Sequence, residues 1–275
     1  MKTLTNFITM LNWSLKLDRE FLFSVPGIPL QGRLHIIFCK YLFFLRDRFR
    51  PAFKTRHATA FGLHYRYNDC YGLGSIQRVF CSSWRLVKVL PPRPVVVDVG
   101  ANLGQFNLFC RTYLQAERII SIEPLPSCFQ LLTENAEHPS DCINMLVTER
   151  ESDNRFFVAH DSQLSSTVRA DEGNYYEEIT VHGMSLKQLL EASGIDRINL
   201  LKIDTEGSEM EVLRSAGDLL DKTDIVLVEM SIFRKNTGNL FAVGSFLEAR
   251  GFRLQELAFA EGTHPADADG IFVRI

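Results

Sequence analysis

The sequence lacks the signatures of several common protein classes. Its six cysteines form neither a Cys-x-x-Cys pair nor a Cys/His cluster with zinc spacing, which favours a reduced, cytoplasmic setting without a zinc site. The N-terminus has no unbroken apolar core of the kind that marks a secretory signal. The longest apolar stretch, residues 34–45, is too short to cross a bilayer and contains His35 and Lys40.

A strong net charge is also missing, but the charge is unevenly distributed. The formal net charge is −3, which argues against nucleic acid as a partner. Residues 1–50 nevertheless carry eight Lys or Arg and three Asp or Glu, a net charge of +5 that leaves −8 for the rest of the chain. For the basic, aromatic-rich residues 30–55 the favoured interpretation is a helical cover over the catalytic domain with solvated arginines. The alternative is peripheral contact with an anionic membrane surface.

From residue 94 onward the sequence alternates between apolar runs and helical patterns. Strands are expected at 95–99, 118–123, 142–147, 198–204, 225–230, 252–257 and 270–275, with the last two as an antiparallel pair. Ser208 and Glu211 have the spacing of a capping box at the start of one intervening helix. Repeated β-α units imply a parallel sheet with helices on both faces. The predicted fold is α/β, a seven-stranded, mostly parallel, Rossmann-like sheet of the class I methyltransferase type.

The domain organisation follows from where this alternation begins and where it breaks. A proline-rich stretch near residues 85–93 is the plausible boundary. Residues 1–90 are expected to form a helical, aromatic-rich cover that contacts a membrane surface or substrate, and residues 91–275 the catalytic domain. Residues 148–185 interrupt the rhythm and are expected to form a β-rich insertion.

The turn after the first strand reads Gly100-Ala101-Asn102-Leu103-Gly104. In an open parallel sheet, ligands bind beyond the carboxyl ends of the strands, so this turn is the expected site. Gly100 and Gly104 allow a ligand to approach the backbone. A dinucleotide would require a middle glycine for its pyrophosphate, and this chain has Asn102 there. The Asn102 side chain would crowd a diphosphate but could hydrogen-bond a smaller polar group.

Two acidic residues flank this turn. Asp98 ends the first strand, where it disfavours a diphosphate and suits an ammonium or sulfonium group. Glu123 ends the second strand, where an acid accepts hydrogen bonds from ribose hydroxyls. A cation and a ribose without a phosphate describe S-adenosylmethionine. The predicted cofactor-binding residues are thus Asp98, Gly100, Asn102, Gly104 and Glu123. The alternatives are that Asp98 only stabilises the turn and that Glu123 is a solvated strand end.

Three segments resemble the FkbM-type family of S-adenosylmethionine-dependent O-methyltransferases: "VVVDVGANLGQFNLF", "SIEPLP" and "LLKIDTEGSEMEVLRSA". The similarity spans about residues 94–257. The resemblance implies a class I fold, S-adenosylmethionine as methyl donor and a hydroxyl acceptor on a sugar, lipid or polyketide-like product. A glycan or glycolipid-type acceptor, as in polysaccharide biosynthesis, is expected on this basis. Before the fourth strand the family often has Thr-Leu-Asp, and this chain departs from it with Lys187 in place of the acid.

Carboxylates at the ends of the fourth and fifth strands are the candidate catalytic groups. Asp204 is predicted to act as general base or to orient the substrate, with Glu206 and Glu229 as the next candidates. The alternatives are that Glu206 stabilises a helix N-terminus and that Lys202 simply pairs with Asp204 or Glu229. A Mg²⁺ ion held by the three carboxylates is a further alternative, but no metal ligand is assigned.

A long polar loop at 161–169 is expected next to the site, and such loops often determine specificity. Ser165 and Ser166 are predicted to bind cofactor or substrate hydroxyls, and the alternative is a solvated turn. His160 and His182 have the chemistry of a base, but ordinary core or surface histidines are the favoured interpretation.

Three other functions compete with an O-methyltransferase. An NAD-dependent, sugar-modifying oxidoreductase is disfavoured by Asn102 and by the lack of a Tyr-x-x-x-Lys pair. A nucleic-acid methyltransferase would require a tetrad such as Asn-Pro-Pro-Tyr to hold a flipped base, and none occurs. A non-catalytic module that binds S-adenosylmethionine is the third alternative. The sequence leaves the oligomeric state open.

Overall fold

The computed structural model of the chain describes residues 2–25, 28–49, 56–60, 63–67, 70–159, 162–168, 175–232, 239–259 and 267–275. The chain divides into two compact units, residues 1–89 and residues 90–275. The division falls within the proline-rich stretch at 85–93.

The first unit is mainly helical. Its elements are α1 (Lys2–Phe23), α2 (Leu30–Phe49), β1 (Arg56–Ala60), β2 (Leu63–Tyr67) and α3 (Cys70–Ser83), followed by a 3₁₀ turn at Trp84–Lys88. The strands β1 and β2 pair antiparallel. Over the residues that the structure describes, the helices are too short or too polar to span a membrane.

A buried polar cluster joins the three helices of this unit. The Asp18 carboxylate of α1 accepts a hydrogen bond from Lys40 Nζ of α2 at 2.5 Å and one from Gln77 Nε2 of α3 at 2.8 Å. Tyr41 Oη donates to the second Asp18 oxygen at 2.5 Å. Burial lowers the pKa of Lys40, and the hydrogen bond to Asp18 opposes that shift. Lys40, which interrupts the apolar stretch, is therefore a paired residue of the helical core.

The second unit contains ten strands and five helices in its described residues. The strands are β3 (Val95–Val99), β4 (Arg118–Ile122), β5 (Cys142–Ile143), β6 (Leu146–Val147), β7 (Ser152–Ala159), β8 (Tyr175–Met184), β9 (Ile198–Ile203), β10 (Thr223–Ser231), β11 (Phe252–Phe259) and β12 (Asp267–Arg274). The helices are α4 (Gln105–Phe109), which continues as a π-helical turn at Cys110–Leu114, α5 (Pro126–Asn135), α6 (Leu186–Ala192), α7 (Glu209–Ser215) and α8 (Leu240–Ala249).

Seven of these strands form the main sheet, in the order β11-β12-β10-β9-β3-β4-β5. The strands β5, β4, β3, β9 and β10 pair in parallel, and β12 pairs antiparallel with both β10 and β11. Successive residues Val96 and Val97 point to opposite faces, and both are fully buried, so both faces of the sheet are covered. The structure confirms the predicted α/β fold with its antiparallel terminal pair.

The site is positioned by the strand β3, an interior strand of this sheet. The next strand in the chain, β4, lies on one side of β3, and β9 lies on the other. Chain order therefore reverses beside β3, which is where open α/β sheets bind ligands. Because β3, β4, β9 and β10 are parallel, the residues that follow them share one edge of the sheet.

The predicted third strand at 142–147 is wrong as a single element. Cys142–Ile143 joins the edge of the main sheet as β5, whereas Leu146–Val147 pairs with β8 as β6. The side chain of Asn144 donates to the backbone oxygens of Glu123 and Pro124, at 2.9 and 3.1 Å. These bonds turn the chain out of the main sheet between the two short strands.

Residues 148–185 contribute two strands to a second, smaller sheet. The strands β7 and β8 pair antiparallel, and β6 lies on the other side of β8. His182 of β8 lies 2.9 Å from Asp153 and 3.4 Å from Glu151, and its hydrogen bond with Asp153 raises its pKa. His160 lies outside the described residues.

The predicted capping box at Ser208 is also wrong. The Ser208 side chain makes no capping bond, and its φ of −108° and ψ of 17° differ from the extended conformation of a capping residue. The preceding Glu206 and Gly207 have φ values of +54° and +122°, so the chain enters α7 from a left-handed turn. A capping box instead begins α6, where Ser185 and Gln188 bond reciprocally.

Candidate active site

The glycine turn after β3 has a left-handed backbone at three positions. Gly100, Asn102 and Gly104 have φ values of +81°, +48° and +87°. A Cβ at Gly100 would lie 1.8 Å from the carbonyl oxygen of Asp204, and one at Gly104 would lie 3.1 Å from the Leu132 side chain. The backbone that follows β9 therefore lies directly against Gly100, which is required by packing as well as by its positive φ. Gly104 is favoured mainly by its positive φ.

Glu123 fixes the shape of this turn. Its two carboxylate oxygens accept the backbone N–H groups of Asn102 at 2.8 Å and Leu125 at 2.9 Å. Glu123 is 6% exposed, and burial raises its pKa to about 7, although the two backbone hydrogen bonds oppose the shift. Each oxygen keeps a second lone pair for a ribose hydroxyl. The structure thus places Glu123 at the turn, and its contact with ribose stays a prediction.

Asn102 suits the turn for a conformational reason as well. Asparagine tolerates a positive φ better than most residues. Its side-chain oxygen accepts from Gln105 Nε2 at 3.3 Å, and its amide nitrogen lies 3.9 Å from the Cys128 sulfur. The Asn102 side chain therefore already has partners within the protein, and the predicted hydrogen bond to a ligand would have to form in addition to these contacts.

Asp98 is fully buried and paired with a residue that was not among the predicted site residues. Lys202 of β9 donates to one oxygen of Asp98 at 3.0 Å and lies 3.3 Å from Asp204 Oδ2. Burial raises the pKa of Asp98, and Lys202 opposes this shift. Burial alone would lower the pKa of Lys202, but Asp98 and Asp204 outweigh it and raise the pKa above its usual value. Lys202 of β9 thus links β3 to Asp204, the predicted catalytic residue that follows β9.

The three predicted catalytic carboxylates lie together. Oxygens of Asp204, Glu206 and Glu229 lie within 4.8 Å of one another, and all three residues are partly exposed. Asp204 directly follows β9, where its backbone N–H donates to Val99 of β3 at 3.0 Å. The cluster therefore lies at the carboxyl edge of the sheet, beside the glycine turn. Oxygen ligands of this kind suit Mg²⁺, but exposed acidic groups are also common without a metal ion.

The loop that carries Glu206 is held from two sides. The buried Glu209 accepts the Gly207 backbone N–H at 2.7 Å and the Thr205 hydroxyl at 3.2 Å through one carboxylate oxygen. On the other side, the Ser166 hydroxyl donates to the Glu206 backbone oxygen at 2.8 Å. A left-handed non-glycine residue persists only where its surroundings impose it. These bonds supply that constraint and hold the backbone of the loop that carries Glu206.

Ser165 and Ser166 lie in the insertion with their hydroxyls already engaged. Ser165 Oγ accepts the Ala159 backbone N–H at 3.0 Å, and Ser166 Oγ accepts that of Val168 at 3.0 Å. Their predicted contacts with cofactor or substrate remain predictions. The structure adds a second role for Ser166, because its hydroxyl connects the insertion to the loop that carries Glu206.

The residues around the glycine turn fit a cationic, ribose-containing cofactor. Among the described residues, Asp98 Oδ2 is buried without a hydrogen-bond partner, while the other oxygen of Asp98 pairs with Lys202. Oδ2 can therefore still accept from a donor or cation. Glu123 provides carboxylate acceptors at the end of the neighbouring strand. A diphosphate would meet the acidic Glu123 at this turn, which opposes its binding when Glu123 is ionised.

Comparison with known proteins assigns the domain to a class of enzyme. The profile of the Methyltransferase FkbM domain matches residues 98–254. Methyltransferase 1 of Beauveria bassiana is 27% identical over 199 residues, which is 64% of this chain and 79% of that protein. Hexuronic acid methyltransferase AglP of Haloferax volcanii is 27% identical over 139 residues, 50% of this chain and 55% of that protein. The 31-O-demethyl-FK506 methyltransferase FkbM of Streptomyces tacrolimicus is 28% identical over 163 residues, 47% of this chain and 62% of that protein.

The match covers the parts of the chain that build the site. Residues 98–254 include the glycine turn, Glu123 and the three clustered carboxylates. The chain spans less than two thirds of the last two relatives, so their acceptors do not transfer to it directly. A methyltransferase profile also weighs against the NAD-dependent oxidoreductase that the sequence left open.

Proposed function

Because the chain belongs to the FkbM methyltransferase family, whose methyl donor is S-adenosylmethionine, we propose that it is an O-methyltransferase acting on a hydroxyl of a sugar, glycan or glycolipid-type acceptor. The observation that carries this proposal is the meeting of Asp204, Glu206 and Glu229 beside the glycine turn. A neutral hydroxyl is a poor nucleophile, and a carboxylate at this place can accept its proton.

The roles of the residues follow from their positions. Bound S-adenosylmethionine supplies a methyl group that the positive sulfur makes electrophilic. Glu123 accepts hydrogen bonds from ribose hydroxyls while it holds the turn. Asp204 orients the acceptor hydroxyl and takes its proton, and Lys202 holds the Asp204 carboxylate in place. Such alignment can contribute on the order of 7–11 kcal/mol at best.

The class of acceptor is proposed from the relatives. One relative is named as a hexuronic acid methyltransferase, and another as a 31-O-demethyl-FK506 methyltransferase. Both names are compatible with an oxygen nucleophile. A group of three carboxylates also suits the recognition of polar, hydroxyl-rich molecules, because each carboxylate accepts several hydrogen bonds.

The test is a methylation assay with labelled S-adenosylmethionine and a panel of sugars, hexuronic acid glycosides and glycolipids. We expect Asp204→Asn to lower kcat by about 10²–10⁴-fold and to leave the Kd of S-adenosylhomocysteine nearly unchanged. Asp196→Asn is the matched control, because Asp196 is exposed just before the amino end of the same strand. Methyl transfer to nitrogen, or equal loss in both variants, would contradict the proposal.

A non-catalytic module and a metal-dependent enzyme are separated by the same assay. Tight S-adenosylhomocysteine binding without methylation of any acceptor would favour the binding module. The carboxylate cluster has ligand chemistry that suits Mg²⁺. We expect turnover to persist in EDTA, because the methyl group is already activated and a carboxylate base suffices. Loss of activity in EDTA that Mg²⁺ restores would show the contrary.

A further inference from the structure

The helix α2 of the first unit carries an exposed apolar stripe along its length. Its members recur every three or four residues, so they are neighbours on one side of the helix. They are Leu30 (57% exposed), Leu34 (51%), Phe38 (63%), Leu42 (38%) and Leu45 (57%). We call this set the α2 stripe. Exposed apolar patches of such continuity mark interaction surfaces.

Charged groups are absent from the exposed side of α2, as far as its side chains are described, at residues 30–45. Lys40 is buried against Asp18, and the half-buried Arg33 donates to the backbone oxygens of Leu22 and Ile28. The other exposed residues of this part of the helix are Gln31 and His35. The exposed side of α2 is therefore apolar and carries no Lys, Arg, Asp or Glu between residues 30 and 45 that would favour its contact with water.

The neighbouring helix α1 contributes basic and aromatic groups to the same unit. Lys16 and Arg19 are exposed on α1, and Trp13 is 43% exposed. The Ser14 hydroxyl of α1 lies 3.3 Å from the Tyr41 hydroxyl of α2, so the two helices lie side by side. These groups are exposed on the same unit as the stripe, and tryptophan and basic residues are enriched where proteins meet a membrane interface.

We propose that the α1–α2 pair docks on an anionic lipid bilayer through the α2 stripe. Residues 1–50 have a net charge of +5, whereas the whole chain has −3. An anionic surface attracts this segment, and the apolar side chains enter the boundary between headgroups and acyl chains. A second copy is the less suitable occupant, because self-association through this face would bring two segments of +5 together.

The test measures sedimentation of the full chain with vesicles of phosphatidylcholine, with and without phosphatidylserine. We expect binding to the anionic vesicles that weakens strongly in high salt, because salt screens the attraction. The double variant Leu34→Gln/Phe38→Gln removes two exposed apolar side chains from the stripe. It is expected to lower the partition coefficient at least ten-fold, since burial of each side chain contributes to binding.

Two further variants separate the contributions. Phe241→Gln is the matched control, because Phe241 is 81% exposed on α8, in the second unit; it is expected to bind within two-fold of the wild type. Lys16→Gln/Arg19→Gln is expected to weaken binding to anionic vesicles by about five-fold per charge. Unchanged circular dichroism and Tm show that the variants fold.

Three results would overturn the proposal. The first is a lack of binding to anionic vesicles at low salt. The second is binding that Leu34→Gln/Phe38→Gln leaves unchanged. The third is a dimer, seen by analytical ultracentrifugation, that the same double variant converts to a monomer while vesicles remain unbound. The last result would assign the α2 stripe to a second copy of the chain.

Discussion

Lys202 is the residue on which the electrostatic balance of the site depends. Its ammonium is the hydrogen-bond donor to one oxygen of the fully buried Asp98, and it also contacts Asp204. A buried carboxylate that loses its cation retains the cost of desolvation without compensation. The pair therefore matters for folding as well as for the arrangement of Asp204.

We expect Lys202→Met to lower the free energy of unfolding by about 3–5 kcal/mol, measured by urea denaturation at neutral pH. Replacing Asp98 by Asn in the same background is expected to restore part of the loss, because the uncompensated charge is then removed. Arg197→Met is the surface control, since Arg197 pairs with Asp224 at 2.8 Å in an exposed position. A Lys202→Met variant as stable as Arg197→Met would contradict the argument.

Glu123 is expected to make cofactor affinity depend on pH. Burial raises its pKa to about 7 in the folded protein, so it is mostly protonated at pH 6 and mostly ionised at pH 8. The ionised form is the better acceptor for ribose hydroxyls. Titration calorimetry should show the Kd of S-adenosylhomocysteine falling about ten-fold between pH 6 and pH 8, in proportion to the ionised fraction.

The Glu123→Gln variant provides the control for this pH dependence. It cannot ionise, so its Kd, although weaker, is expected to be nearly constant between pH 6 and pH 8. If the variant keeps the ten-fold change, another group is responsible. Asp98 and Glu209, whose pKa values burial also raises, would then be the next groups to test.

The site residues that could be predicted from the sequence are those at the ends of strands. Asp98, Glu123 and Asp204 could be identified because each follows or ends an apolar run. The role of Lys202 could not, because it depends on sheet register. Asp98 and Lys202 are paired positions of β3 and β9, although 104 residues separate them in the chain. The local pattern of a strand does not state which residue lies opposite on its neighbour.

At the scale of elements, the backbone that follows β9 determines which residue can occupy the turn between β3 and α4. Gly100 has a φ of +81°, and its missing Cβ leaves room for the Asp204 carbonyl oxygen. The sequence indicated that this glycine allows a ligand to approach. The structure shows that the backbone after β9 lies where a Cβ of residue 100 would be. Glycine at this position therefore allows β3 and β9, which are far apart in the sequence, to pack closely at their ends.

Gly100→Ala is expected to abolish cofactor binding and to lower Tm, because a Cβ 1.8 Å from a backbone oxygen forces the turn or the end of β9 to move. Gly244→Ala is the matched control. Gly244 lies within α8, and outside its own helix backbone and chain neighbours no described atom lies within 4 Å of its ideal Cβ, so alanine should raise stability by about 0.5–1 kcal/mol. Thermal unfolding with and without S-adenosylhomocysteine measures both effects. Wild-type affinity in Gly100→Ala would show that the turn has space to adjust.

The two element predictions that are wrong share a cause. The apolar run at 142–147 satisfied the strand pattern, but the side chain of Asn144 bonds to backbone after β4 and divides the run between two sheets. The spacing of Ser208 and Glu211 satisfied the capping-box pattern, but the left-handed turn at Glu206 sets a different entry into the helix. In both places a tertiary contact overrides the local signal.

At the scale of the whole molecule, the alternation of strands and helices determined the main sheet, because parallel strands buried on both faces have few other arrangements. The insertion at 148–185 and the helical first unit carry weaker signals. Their strands and helices are half-exposed, so apolar periodicity does not define their partners. In the sequence, the α2 stripe could be seen only as part of an apolar stretch. The structure was needed to show that these side chains are exposed on one side of α2.

Cofactor binding is expected to stabilise the folded chain as a whole, because a ligand that binds only the native state shifts the unfolding equilibrium. At a concentration of S-adenosylhomocysteine 100 times its Kd, the free energy of unfolding should rise by about 2.7 kcal/mol. NAD at the same concentration should leave it unchanged, since Asn102 occupies the place of the middle glycine and Glu123 opposes a diphosphate. Glu123→Gln should reduce the gain from S-adenosylhomocysteine without creating one from NAD. Stabilisation by NAD alone would mean that the pocket at the glycine turn holds a dinucleotide after all.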